Sequence, residues 1–216
     1  MNEGLRVLIE ESQALIFDVD GTLLDSMPIW NNLGSLFLES LGIKAEKNLG
    51  TKLFPMTLNQ GAKYLKERYS LPLSIKEIQT GNIAMVEKFY RDEVSLKGYM
   101  KEILDYAKAL GLPMIIATSG HKDLVEAALT RLAIKDYFMA VLTSSEMGVG
   151  KENPKIFLEA ANLAGSEISK TLVFEDGLYA IETADRAGFK IVGIYDSASL
   201  GDQDRIKEMS DFYLKF

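Results

Sequence analysis

Short apolar runs separated by helical patterning dominate the second half of this chain. They lie at residues 113–117, 140–143, 171–174 and 190–194, and a further one stands early, at 14–17. Runs of this length bounded by turn residues read as strands buried on both faces. Between the last four lie segments with helical spacing: 122–132 after Ser119-Gly120, 154–164 opened by Asn153-Pro154, and 177–187. Asn followed by Pro is a helix start, because proline tolerates the first turn. Parallel neighbours need a crossover, so this alternation points to an α/β chain with a doubly wound, Rossmann-like parallel sheet. A final run at 211–214 adds a candidate edge strand.

The interval between the first two strands breaks the rhythm. Asp18 to Pro113 is much longer than a strand–helix–strand unit of ~30 residues. It has its own helical periodicity, through Ile29, Leu33, Phe37 and Leu41, then Leu58, Ala62 and Leu65, then Ile75, Ile78, Ile83, Val86, Phe89 and Tyr90. Gly42, Gly50, Pro55 and Pro72 punctuate it into about four helices. The expected organisation is an α/β core of residues 1–22 and 96–216, with a helical-bundle cap at 23–95 joined by short hinges. Residues 97–110 read as the helix leading into the second strand.

Ligands of open α/β sheets bind at the carboxyl ends of the strands. Four polar clusters sit at such ends here. The first is Asp18-Val19-Asp20-Gly21-Thr22, directly after the first run. Two carboxylates two residues apart share a face of extended chain, but the strand already ends into Gly21, so the second can swing away. One can then attack an electrophile while the other handles protons, the division of labour that phosphoryl transfer needs. The second cluster, Thr118-Ser119-Gly120, offers a hydroxyl and free amides at a helix start, which can cradle a phosphate or merely cap the helix. The third is Lys151, between Gly150 and the Pro154 helix start and placed to reach inward. The fourth, Glu175-Asp176, suits a hard cation such as Mg²⁺, or else caps the next helix.

In order and placement these clusters resemble the four motifs of the haloacid dehalogenase-like hydrolase superfamily. Asp18 to Thr22 matches its Asp-x-Asp-Gly-Thr in full. Thr118 matches the Thr/Ser of the second motif, Lys151 with Asn153-Pro154-Lys155-Ile156-Phe157 the third, and Glu175-Asp176 the fourth. The helical insertion is similar to that of the subfamily holding phosphoglycolate phosphatases and β-phosphoglucomutases. Two departures stand out: Glu152 follows the lysine where many relatives have proline, and the fourth motif continues Gly177-Leu178-Tyr179-Ala180 rather than Ser-x-x-Gly. The resemblance implies a Mg²⁺-dependent phosphatase for a small phosphorylated metabolite, working through an aspartyl-phosphate. Asp18 would be the nucleophile and Asp20 the general acid and base. Thr118, Ser119, Gly120 and Lys151 would hold phosphate. Asp18, Asp20 (through its carbonyl), Asp176 and Glu175 (through water) would hold the metal. A sugar phosphomutase and an inactive phosphate sensor are the alternatives.

The single histidine, His121, follows the second motif and lies outside the insertion, where mutase relatives carry a histidine, so simple hydrolysis is favoured. His121 itself either touches substrate or faces solvent at a helix start. Trp30 either walls a substrate pocket or packs in the helical bundle, and Lys52 is a candidate reader of a second anionic group. Dehalogenases and phosphonate-cleaving relatives lack the second Asp of the first motif, which is present here as Asp20. With no cysteine in 216 residues, thiol nucleophiles and Cys-ligated zinc are excluded. A net charge of −7 argues against nucleic acid or an anionic membrane as partner. The N-terminal residues do not form a secretory signal, and no run has the length of a membrane span. The expectation is therefore a cytoplasmic monomer or weak dimer acting on a small-molecule phosphate ester.

Overall fold

The computed structural model describes residues 1–53 and 56–216. Pro55, read above as a helix breaker, lies outside the described residues. The chain divides into two compact units: Met1–Asp25 with Ser95–Phe216, and Ser26–Val94.

The first unit holds six parallel strands, β1 (Ala14–Phe17), β2 (Met114–Thr118), β3 (Ala140–Thr143), β4 (Thr171–Glu175), β5 (Lys190–Ile194) and β6 (Phe212–Leu214). Their order across the sheet is β3-β2-β1-β4-β5-β6, so chain direction across the sheet reverses beside β1, between β2 on one flank and β4 on the other. That reversal is the switch point at which doubly wound sheets open a crevice. All residues of β1, β2 and β4 are buried, as expected for a parallel sheet covered on both faces. Phe17 and Phe174, opposite each other in register, stack with centroids 4.4 Å apart. On one face, Ile156, Phe157 and Ala160 pack with Ile181, Ala184 and Phe189 against Ile16, Ile115 and Val173. Each of the isoleucine, valine and phenylalanine side chains among them contributes about 1.5–3 kcal/mol by leaving water.

The longer helices of this unit follow the predicted order, and three α-helices are additional, at residues 3–10, 144–147 and 203–209. Residues 3–10 form a helix capped by the Asn2 side chain, with Leu5 and Ile9 buried one turn apart. Residues 203–209 form another before β6. The helix expected from residue 97 begins at Met100, because Gly98 takes a φ of +45° and a Cβ there would meet the Phe216 ring at 2.0 Å.

The second unit is all-helical. Among the described residues it has four α-helices, at Met27–Ser40, Leu49–Leu53, Leu58–Tyr69 and Ile75–Lys88, and the last runs on into a π-helical turn at Phe89–Glu93. Thr57 and Ser74 start the third and fourth with reciprocal capping boxes to Gln60 and Glu77. Phe37, Leu38, Leu49, Ala62, Leu65 and Ile78 form its apolar centre. Gly50 permits a close helix approach, since a Cβ there would stand 2.0 Å from the Asn31 carbonyl oxygen.

Candidate active site

The loop after β1 is shaped by hydrogen bonds of its own: Leu24 N–H donates to Val19 at 2.8 Å and Gly21 N–H to Leu24 at 3.1 Å. Gly21 sits at φ +86°, and a Cβ would lie 2.4 Å from a carboxylate oxygen of Asp176. Only glycine lets this backbone pass so close to the end of β4. The neighbouring Thr22, fully buried, donates its hydroxyl to Asp176 at 2.8 Å. Asp18 is buried at the end of β1, while Asp20 is half-buried.

Lys151 is the deepest charge in this group, at 1% exposure. Its ammonium donates to Asp18 and, at 2.8 Å, to Glu175. Local structure explains the reach: Gly148 in the left-handed region ends the short helix 144–147, and Asn153 caps the following helix by accepting the Lys155 N–H at 3.0 Å. The lysine lies between these two fixed points. Burial alone would push its ammonium down, but the charges of Asp18 and Glu175 outweigh burial and hold it above the ordinary lysine range. Burial, reinforced by Asp18, pushes the Glu175 carboxyl up to about 7 against the pull of Lys151. Asp176 is raised well above the usual carboxylate range by burial, then by Glu175 and Asp18, with Thr22 and Lys97 opposing.

Thr118 is fully buried at the end of β2, and its hydroxyl oxygen accepts the Gly120 N–H at 2.9 Å. That amide is therefore engaged locally. A Cβ at Gly120 would stand 3.1 Å from an Asp20 carboxylate oxygen, so the loops after β1 and β2 bring Asp20 and Thr118-Ser119-Gly120 together. Ser119 is exposed, with its hydroxyl 3.1 Å from that of Ser144. His121 is exposed at the N-cap of the helix Lys122–Arg131 and caps nothing with its side chain. In the helical unit, Lys52 is paired with Glu46 at 3.1 Å, so its charge already has a partner.

Residues 13–188 match the family model for haloacid dehalogenase-like hydrolases. The chain belongs to that family. The phosphoglycolate phosphatase of Neisseria gonorrhoeae is 29% identical over 212 residues, spanning 93% of this chain and 88% of its own. A Drosophila melanogaster protein named a probable pseudouridine-5'-phosphatase is 30% identical over 187 residues, or 84% and 80% of the two chains. Among solved structures, a Thermotoga maritima protein provisionally named a beta-phosphoglucomutase superposes with a TM-score of 0.83 over 94% of each chain. At 23% identity, this last likeness speaks to the fold alone.

In this haloacid dehalogenase-like hydrolase, Asp18, Glu175 and Asp176 each offer an oxygen within 4.8 Å of the others. The donor set is all-carboxylate, which suits a hard dication. Charge balance agrees, for Lys151 is the one ammonium among the described residues bonded to any of these three buried carboxylates, and two of the three are driven toward their neutral forms. The carboxylate of Asp20 is not part of that cluster. No helix among the described residues is long and apolar enough to cross a membrane.

Sequence reasoning missed a second buried ion pair in the hydrolase. Lys97 donates to Asp196 and, at 2.6 Å, to the Gly21 carbonyl, so it ties the loop carrying Asp20 to the end of β5. Asp196 is two residues past the end of β5. The carboxyl-end rule that flagged the other strands would have found it there. Lys97 carries no such signal, since a lone lysine before a helix reads as surface.

Proposed function

We propose that this chain is a Mg²⁺-dependent phosphatase of small phosphorylated metabolites that works through an aspartyl-phosphate. The reading rests on one arrangement above all: a buried Asp18 at the sheet's switch point, bonded to Lys151 and grouped with Glu175 and Asp176. The phosphatase names of the relatives support it.

A carboxylate oxygen of Asp18 attacks phosphorus in line, the ester P–O bond breaks, and the leaving alkoxide takes its proton from the Asp20 carboxyl. Water then attacks the same phosphorus, Asp20 accepts the water's proton, and the bond to Asp18 breaks to release phosphate. Splitting one displacement into two avoids attack by unactivated water on a dianion. Lys151 holds its proton, because the charges of Asp18 and Glu175 outweigh its burial and keep it cationic, and so it can neutralise an equatorial phosphoryl oxygen. Thr118, locked by the Gly120 amide, presents a fixed hydroxyl, and the Ser119 amide adds a donor at the same loop. Asp18, Asp176, the Asp20 carbonyl and Glu175 would hold Mg²⁺, which supplies the positive charge that lets an anionic nucleophile approach an anionic ester. His121 is the sole histidine and lies outside the helical unit, so that unit lacks the histidine that sugar-mutase relatives carry there, which favours simple hydrolysis.

The test is phosphate release from a panel of small phosphate esters, with Mg²⁺ and with chelator. Release is expected only with Mg²⁺, and Asp18→Asn should lower it by about 10⁴ or more while the circular dichroism spectrum stays unchanged. Failure of every ester, or turnover retained in Asp18→Asn, would overturn the assignment.

A further inference from the structure

Asn82 occupies a position in the helical unit where an apolar residue is expected. It lies midway between Ile78 and Val86 on the helix Ile75–Lys88, one turn from each, on the stripe that this helix buries. It is 5% exposed, and its side-chain carbonyl oxygen has no hydrogen-bond partner among the described residues. Burying such an acceptor unpaired weakens a fold, so its presence asks for a partner that arrives from outside.

That partner has a place to sit. Asn82 lines a cavity of about 370 Å³ contained wholly within residues 27–82. The walls are mostly apolar, from Trp30, Leu33, Leu53, Leu58 and Leu65, and glycines at 34, 50 and 61 widen it. Trp30 and Leu58 are exposed, which leaves the space accessible. A single water needs only ~10–15 Å³, and a dry apolar cavity of ~150 Å³ takes a benzene ring. The space is thus in the range of small-molecule sites, and water in it would find few polar partners.

The lining also defines the ligand. Among the described residues it contains no lysine, arginine or histidine for an anion, and no carboxylate for a cation. The one unpartnered buried side-chain polar atom among its described residues is an acceptor. We propose that this cavity binds a compact neutral molecule with an apolar body and one hydroxyl or N–H group, which donates to Asn82 Oδ1. Such a group could be the alcohol part of a phosphate ester or a free small molecule.

The only tryptophan of the chain lines the cavity, so its emission reports occupancy directly. The experiment titrates benzyl alcohol, toluene and benzoate into the full chain in Mg²⁺-free buffer, where no turnover enters the readout. Benzyl alcohol and toluene should give saturable changes at Trp30 and benzoate none. In Asn82→Leu, the ratio of benzyl alcohol to toluene affinity should fall roughly tenfold, the worth of one hydrogen bond. Removal of the unpaired acceptor should also raise Tm by about 2–4 °C. Gly61→Leu gives an independent control. A Cβ at Gly61 meets nothing nearer than Leu53 at 3.8 Å, so the longer side chain fits the space, and it should abolish binding of both probes.

Displacement of benzyl alcohol by benzyl phosphate assigns the site to the alcohol part of an ester, and lack of displacement assigns it to a free molecule. No saturable response in the wild type, an unchanged ratio in Asn82→Leu, or a fall in that variant's Tm would each overturn the proposal. Because binding is read without catalysis, its failure leaves the phosphatase reading untouched, and the converse holds.

Discussion

The α/β unit and the helical unit treat polar groups in opposite ways. In the first, charges are buried in matched sets: Lys151 between Asp18 and Glu175, Lys97 between Asp196 and the Gly21 carbonyl, Thr22 on Asp176. In the second, charges stay at the surface, as in the group formed by Glu46 with Lys52, Arg68 and Tyr64, while a neutral acceptor is buried with no partner. A buried charge has to be paired or the fold fails, whereas a buried amide oxygen can be left open at moderate cost. The first arrangement presets charge for chemistry and the second leaves a vacancy for a neutral group.

The contrast breaks first at Lys151. Lys151→Met leaves two buried carboxylates facing each other without their shared cation, and the expected loss is about 3–5 kcal/mol in denaturant unfolding. A loss below ~1 kcal/mol would mean that water or ions reach the pair freely. Lys97→Met should cost about 3 kcal/mol for the same reason. Because it frees the Gly21 carbonyl rather than touching the ester, kcat should fall with KM little changed. Pairing it with Asp196→Leu should recover most of the stability, since the stranded charge goes too, while the kcat defect persists. Recovery of both would reduce Lys97 to a packing role.

The smallest expected effect is in the helical unit. A Tyr64 hydrogen bond, then Lys52 and Arg68, hold the Glu46 carboxyl down to about 2 from its ordinary 4.5. A lowered carboxyl contributes stability above its unfolded value that is lost as pH falls toward the folded one. Glu46→Gln should therefore leave Tm nearly unchanged near pH 2, below which both states are protonated, and lower it slightly above pH 5. Its exposure and salt screening keep this difference small. A large difference at pH 7 would show that the surface group matters as much as the buried pairs.

Strand placement was legible because parallel strands covered on both faces are continuous apolar runs, and residues 14–17, 140–143 and 190–194 coincide with β1, β3 and β5. The acidic and hydroxyl groups at the ends of β1, β2 and β4 were legible for the same reason, since strand ends are where a doubly wound sheet exposes functional groups. What stayed hidden depended on long-range partners. The start of the helix at Met100 depends on Phe216 packing over Gly98. Lys97 becomes buried only through Asp196, 99 residues away. Asn82 looks like any polar residue in a helix until the stripe it shares with Ile78 and Val86 turns out to be the buried one.

The order of strands also sets a timetable for synthesis. Asp18 leaves the ribosome long before its counter-ion, Lys151, 133 residues later, and Thr22 precedes Asp176 by 154. At about 5–20 residues per second, the second gap is a wait of about 8–30 s. Until the end of it the wholly apolar β1 has no β4 to pair with, and until residue 151 is made Asp18 lacks the ammonium it bonds in the finished fold. The contiguous helical unit, Ser26–Val94, has all its own residues available well before then. The nascent chain thus carries a hydrophobic strand that has neither neighbour until β2 (Met114–Thr118) is made and only one until β4 (Thr171–Glu175) follows, an exposure set by topology rather than by any weakness of the finished fold.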